Sequence, residues 1–480
     1  MTGRFMQSRS RRGSSPGVPE AIPDTASLRR AMDISRFGEE LAGILFPGGE
    51  DRFQLQVRRA FPWSKGGGGI VEYEGTVPGR DDGEDRVVKI HARLGSDREG
   101  ASNRLIGSRV SPLGSREREL FFAGERSLRI DPSGMILSVF PFDDRMPWLG
   151  KLLDPAGMSD CFGEIAGGKY GEGKSFVLDR PEVAGYRFGR RCTVRYRLLI
   201  RDASGNEVIA IPVIGKSHRD GRGRAVFNHL EQLWNWQFES AGTRPPIISR
   251  PLGYGPDFRI YFQEAPEGLD LYRIEGYRER GTTIAMAGRL LSSLHTSGIR
   301  IEGSYVPEDE LSLIRKWSRY LRPLRPELEG MIGSILRSIQ RSATVKGIDR
   351  FEPSIAHRDF HDKQVIAVKD KIYFIDFDTA TMADPAIDVG NFLAHLVLRG
   401  FQRKRRKEAV KEESELFLSS YRSGNPGVGG ERIDFYFATS LFRLACLYAF
   451  RPAWENLAAP LLEACRESLP HSVTRAAFSR

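Results

Sequence analysis

The apolar and polar residues of the chain alternate with two different periods, and the change of period marks its elements. Thr193–Ile200 and Val208–Gly215 are β-branched and alternating, and they flank Asp202-Ala203-Ser204-Gly205-Asn206, so they predict two strands joined by a turn. Over Ala225–Phe238 the period becomes helical, with Val226, Leu230, Leu233 and Trp234 on one face. An apolar strand follows in the segment Arg259–Asp270 and breaks at Pro266-Glu267-Gly268. Ile284–His295 predicts a helix, and so does Asp434–Arg451, where Phe437, Leu441, Leu444 and Tyr448 recur as core positions. Val365–Val368 and Lys371–Ile375 are short apolar runs split by Lys369-Asp370, which is a hairpin signature. Further upstream, Arg86–Ala92 and Met135–Phe142 predict strands. The first thirty residues, with Arg9, Arg11, Arg12, Ser14 and Ser15, predict a disordered tail over 1–33 that lacks the apolar stretch of a secretory signal.

Composition adds bounds. A chain of 480 residues holds two or three domains, and 40% hydrophobic residues suffice for real cores. It has no run of eighteen apolar residues, so no membrane insertion is expected. Cys161, Cys192, Cys446 and Cys465 lack ligand spacing and predict reduced thiols in a cytoplasmic protein. The net charge of +10 raises nucleic-acid binding, but no recognised motif supports it, and none is expected. The densest basic run, RGFQRKRRK from Arg399 to Lys407, predicts a solvated helix or loop.

The candidate chemistry lies between His357 and Asp388. Asp359 sits in a polar loop, Gln364 follows five residues later, and Asp376 ends the second strand of the hairpin. The hairpin brings these three oxygen donors to one end, a set suited to magnesium and to phosphoryl transfer. One carboxylate, Asp359, orients an acceptor hydroxyl, while Asp376 and Gln364 hold the metal against nucleotide phosphates. The unit Arg190–Trp236 supplies the other half as strand, lysine, loop and helix with a glutamate. Lys216 is assigned to the phosphates and Glu231 to pairing with it, a solvated helix face being the alternative for Glu231. Arg187-Phe188-Gly189-Arg190-Arg191-Cys192 lies where a phosphate-covering loop is needed, and Arg190 is the named candidate. A rival pair, Gly66-Gly67-Gly68-Gly69 with Lys89, is set aside because no helix with a glutamate follows it.

His357-x-Asp359, Ile375-Asp376, Asp384 and Asp388 resemble the catalytic core of the aminoglycoside phosphotransferase family, small-molecule kinases related to protein kinases. The resemblance covers about residues 185–400. It implies an α+β, bilobal protein-kinase-like fold: a small mixed α/β nucleotide lobe over 156–265 and a mainly helical C-lobe over 266–480. An N-terminal α+β accessory domain over 34–155 would precede them. The same resemblance implies ATP and Mg2+ as cofactors and a small-molecule hydroxyl as substrate. It makes Asp359 the catalytic base, with Gln364 standing where the family usually has Asn, Asp376 a metal ligand and Asp378 a second acidic group at the metal. It further implies that His357, Asp384 and Asp388 support the catalytic loop and that Gln263, Glu264 and Ala265 form the adenine-facing hinge. A sugar-like acceptor is preferred because maltokinase-like relatives also carry Gln at that position. A pseudokinase that binds nucleotide and regulates a partner is the alternative. A protein kinase is a further one, since His357-Arg358-Asp359 matches its catalytic loop, but no activation segment of the usual length is visible.

Overall fold

The computed structural model describes residues 25–34, 54–62, 68–77, 86–94, 127–130, 135–171, 173–238, 246–344 and 348–469. A helix, α1 (Thr25–Met32), precedes five strands, β1 (Gln54–Pro62), β2 (Gly69–Val77), β3 (Arg86–Leu94), β4 (Ser127–Ile130) and β5 (Met135–Val139). The strands form one antiparallel sheet in the order β1-β2-β3-β5-β4. Leu28 and Ala31 of α1 are buried in one core with Val71, Tyr73 and Ile90, and the Tyr73 hydroxyl donates to Ala31 O at 2.7 Å. Within the expected tail over 1–33, residues 25–32 therefore form a packed helix. Leu28 and Ala31 lie three apart on one helical face, and covering a leucine contributes about 2 kcal/mol. Residues 1–24 lie outside the described ones.

The second layer begins with α2 (Pro155–Ala166), whose start is fixed by Asp154, with its Oδ1 accepting from Ala156 N at 3.2 Å, and by Pro155 at the first helical position. Strands β6 (Ser175–Arg187), β7 (Arg191–Arg201) and β8 (Glu207–His218), helix α3 (Gly223–Phe238), and strands β9 (Pro251–Gly255) and β10 (Ile260–Glu264) follow. Their antiparallel sheet has the order β6-β7-β8-β10-β9, and Phe162, Leu178, Val194, Tyr196, Val213 and Phe262 fill the space between it and α2. Strand β8 extends past Gly215, so Lys216 lies within it, opposite Thr193 on one side and Tyr261 on the other. Lys89 belongs to β3 of the first sheet, and Gly66 and Gly67 lie outside the described residues.

The remainder is mainly helical. Strand β11 (Leu269–Asp270), α4 (Tyr277–His295), β12 (Ser304–Tyr305), α5 (Pro307–Leu324) and α6 (Glu329–Ala343) lead to β13 (Ser354–Ala356). The hairpin β14 (Val365–Val368) and β15 (Lys371–Phe374) follows, then β16 (Thr381–Ala383), α7 (Ala386–Gln402), α8 (Lys407–Arg422), α9 (Gly430–Ala449) and α10 (Ala458–Ser468). Phe437, Leu441, Leu444 and Tyr448 of α9 are buried, as their spacing predicts. Gly268 permits β11 to pair with β14, because a Cβ there would stand 1.9 Å from Ala367 O.

The first sheet is not detached from the rest. Ala60 N donates to Phe450 O at 2.8 Å, and the Arg29 guanidinium donates to Leu324 O, so the sheet and α1 rest on the helical lobe. Among the described residues no helix is long and apolar enough to cross a membrane. The architecture is α+β, with a sheet lobe and a helical lobe that meet around Asp376.

Candidate active site

The loop between β13 and β14 carries His357, Arg358 and Asp359. Arg358 is held in the left-handed region at φ 66°, a conformation that costs a non-glycine residue about 1 kcal/mol or more. Asp388, fully buried on α7, offsets that cost: its Oδ2 accepts from His357 N at 2.7 Å and its Oδ1 from Arg358 N at 2.6 Å. His295 of α4 spans the other side, with Nε2 3.0 Å from Asp388 Oδ2 and Nδ1 2.8 Å from the Tyr421 hydroxyl. His357 Nε2 donates to Ile375 O at 2.8 Å, which ties the loop to the residue before Asp376. Asn391 Nδ2 donates to Phe360 O at 2.9 Å. Asp362 is buried in a bidentate pair with Arg399, at 2.8 and 3.0 Å. Burial alone would raise the Asp362 carboxyl, but His361 and Arg399 outweigh it and hold it far below the usual range.

Asp376 ends β15, also left-handed at φ 66°. Lys216 Nζ lies 2.5 Å from Asp376 Oδ1 and 2.7 Å from Asp378 Oδ2, and Arg191 reaches both carboxylates. The Tyr261 hydroxyl stands 3.4 Å from Asp378 Oδ1. Burial pushes both carboxyls up, yet Lys216 and Arg191, joined by His218 at Asp378, hold them below the usual carboxylate range. Gln364 enters from the short turn before β14, its backbone carbonyl accepting from Ile375 N at 3.0 Å, which ties it to the residue before Asp376. The Gln364 amide nitrogen is 3.4 Å from His361 Nε2. Two carboxylates that share one ammonium form a hard oxygen donor pair, and this pair fits magnesium. Asp359 is half-buried and has no ion-pair or hydrogen-bond partner among the described side chains.

Several assigned residues are placed elsewhere. Glu231 does not meet Lys216. It faces outward from α3, 3.4 Å from Lys169 Nζ, because the inward face of that helix is taken by Val226, Leu230 and Leu233. Arg190 is exposed at the tip of the β6–β7 turn, and its neighbour Arg191 reaches the acidic pair instead. Gln263 and Glu264 are committed to the sheet: Gln263 pairs with both Ile214 and Pro251, and Glu264 N donates to Arg250 O at 2.9 Å. Ala265 N donates to Pro212 O at 2.9 Å, so the free backbone of the connection begins after Ala265. Asp384 does not touch the catalytic loop in its own contacts. It caps α7 through Ala386 N at 3.0 Å and lies 3.0 Å from Arg432 Nε, without the angle of a hydrogen bond. Burial outweighs Arg432 and raises the Asp384 carboxyl.

The basic run is also different from its solvated expectation. Arg399 is buried against Asp362, Arg403 donates to Tyr272 O at 2.5 Å, and Arg405 pairs with Glu413 at 2.5 Å. Sequence reading missed Arg191, His295 as a link to Asp388, Asn391 and the Asp362–Arg399 pair. For Arg191 a signal existed: it lies in the basic turn Arg187–Cys192, two residues before the predicted strand that leads into the Lys216 unit.

Comparison with known proteins agrees with this geometry. Residues 246–417 match the model of the phosphotransferase enzyme family. No curated protein matches. Among solved structures, the choline kinase LicA from Streptococcus pneumoniae is similar at 15% identity and a TM-score of 0.42, covering 61% of this chain and 94% of that one. Spectinomycin phosphotransferase APH(9)-Ia, in complex with ADP and spectinomycin, is similar at 10% identity and a TM-score of 0.42, covering 65% and 98%. An aminoglycoside-3'-phosphotransferase of type VIII is similar at 20% identity and a TM-score of 0.36, covering 57% and 95%. These likenesses are too distant to bear on the substrate. With a sheet-borne lysine facing the aspartate that ends a C-lobe hairpin, residues 246–417 are similar to the phosphotransferase enzyme family.

Proposed function

We propose that the protein transfers the γ-phosphate of ATP to a hydroxyl of a small metabolite. The observation that carries this reading is the contact of Lys216 with Asp376 across the two lobes, with the Asp359 loop fixed at the same hairpin end. Asp359 accepts a hydrogen bond from the acceptor hydroxyl and aims it in line with the phosphorus. Lys216 and Arg191 draw the phosphate oxygens toward the sheet lobe. Asp376, Asp378 and Gln364 would hold magnesium, which supplies charge neutralisation for the phosphates. Catalysis is then positioning and electrostatics rather than covalent chemistry. A sugar-like acceptor is our choice among acceptors, because Arg187 and Arg191 beside the acidic pair repel a polycation such as an aminoglycoside. The division into an accessory domain over 34–155, a nucleotide lobe over 156–265 and a C-lobe from 266 belongs to the same proposal, with α1 added to the first.

The test is thermal melting of wild type and Asp376→Asn with and without Mg-ATP. Ligand at a hundred times its dissociation constant adds about 2.7 kcal/mol, and the variant should lose that shift. No shift in wild type overturns the reading. One observation favours a second reading, a nucleotide-binding regulatory module: Glu231 faces away from Lys216. Labelled ATP incubated with cell extract separates the two, since only an enzyme moves label into the small-molecule fraction.

A further inference from the structure

Arg187 and Arg191 are direct cross-strand partners at the end of the β6–β7 hairpin, so their side chains leave the same face of the sheet. Arg191 spends its charge on Asp376 and Asp378. Arg187 has no carboxylate within ion-pair distance among the described residues, and it is half-buried. Its charged neighbours are Arg191 and Arg59, which repel it, and Asp359 and Glu72, which attract it. Burial and those two cations push its guanidinium down to about 10, which still leaves it protonated at neutral pH. A half-buried cation without a partner is incompletely solvated, and an anion delivered beside it relieves that cost.

The turn that carries Arg187 is pinned from two directions. Asp143 Oδ2 accepts from the Tyr186 hydroxyl at 2.7 Å and from Gly189 N at 2.6 Å. Gly189 has φ 61°, and a Cβ there would stand 2.7 Å from Arg145 Cδ, so the turn is built for glycine. From the first sheet, Arg59 Nη2 donates to Tyr186 O at 3.2 Å, and His91 stacks on Phe188 at 5.3 Å. Arg59 also pairs with Glu72 at 2.5 Å, which engages the one carboxylate of that sheet near Arg187. The guanidinium is thereby left on the sheet face that Arg191 turns toward Asp376 and Asp378, near enough to Asp359 to feel its charge.

We infer that Arg187 is a catalytic residue that meets the transferring phosphoryl group opposite Asp359, and that the N-terminal sheet exists in part to hold it there. The inference rests on the proposed phosphotransfer. In that step the bond from the γ-phosphorus to the β–γ bridging oxygen breaks and ADP leaves with the electron pair. A bond forms from the acceptor oxygen to phosphorus, and the hydroxyl proton passes to Asp359. Arg187 neutralises the equatorial oxygens while both bonds are partial.

The test needs no acceptor. Binding of Mg-ADP to the full chain is measured by calorimetry with and without aluminium fluoride, which mimics the phosphoryl group in flight. Wild type, Arg187→Ala, Arg187→Gln and the exposed-turn control Arg190→Ala are compared. Mg-ADP alone should bind all four within about threefold. Fluoride should tighten binding in wild type and Arg190→Ala, and this gain should fall by at least about tenfold in both Arg187 variants, on the scale of known arginine contributions. A full fluoride gain in either Arg187 variant that folds overturns the inference. So does an equal loss of Mg-ADP binding with and without fluoride. Failure of wild type to bind Mg-ADP removes the phosphotransfer reading itself, and the inference with it.

Discussion

The two walls of the active site are held in opposite ways. The catalytic loop is gripped from inside its own lobe: Asp388, Asn391 and Arg399 all come from α7 and reach buried loop groups. The phosphate-facing turn at Phe188–Arg190 is gripped from outside its hairpin, by Asp143 of the connecting segment and by Arg59 and His91 of the first sheet. Losing an internal grip leaves buried amides unpaired and threatens the lobe. Losing an external grip loosens one turn of the sheet lobe and leaves the helical lobe intact. One wall is therefore a stability element and the other an adjustable one.

The largest expected effect is on the rigid wall. Asp388→Ala leaves His357 N and Arg358 N without acceptors in a buried site and should destabilise the protein by about 3 kcal/mol in denaturant titration. A loss below about 1 kcal/mol would break the comparison. Asp143→Ala comes next. It removes the acceptor for Tyr186 and Gly189, at about 2 kcal/mol, and hydrogen exchange should quicken at residues 186–191 while the catalytic loop stays protected. Spread of exchange into the C-lobe would show that the walls are not separable.

Acid sharpens the comparison further. Burial, with Arg59 and Lys89 nearby, lowers His91 from 6.5 to about 3, so it is neutral when folded. Between those values the unfolded chain binds the extra proton, so the stability due to neutral His91 is complete above pH 6.5 and is lost as pH falls toward 3. The slope is at most about 1.4 kcal/mol per pH unit. His91→Phe should flatten melting between pH 7 and 5, leaving the shares of groups such as His395 and His229, which burial also shifts down. An unchanged slope would show that the sheet does not dock through His91. The smallest effect is predicted for Glu231→Ala. Its exposed pair with Lys169 contributes about 0.5 kcal/mol or less, and Mg-ATP affinity should not move.

What was legible in the sequence was local. The strand Val365–Val368 has the predicted bounds, and the helix predicted at Asp434–Arg451 runs Gly430–Ala449, because alternation and helical spacing report each residue's immediate environment. The placing of Asp359, Gln364 and Asp376 at one hairpin end is legible for the same reason. Glu231 was not, since a helix has several faces and only the sheet decides which one is inward. Arg399 reads as part of a solvated charge run because its partner, Asp362, lies far back in the chain. Of the first sheet only β3 and β5 stood out. The charged residues of Gln54–Pro62 mask its alternation, and its reason for existing lies in contacts with Tyr186 and Phe450, which no local pattern records.

The left-handed turn at Arg358 has a consequence for synthesis. The groups that hold it lie downstream: Asp388 binds the two amides, and Tyr421 orients His295 against Asp388. A nascent chain that has reached only Asp359 has nothing to keep Arg358 in that conformation, however well its sheets have formed. The catalytic turn is thus completed last, when α7 and α8 have left the ribosome and docked. Premature release before that point leaves His357 N and Arg358 N without the carboxylate that receives them.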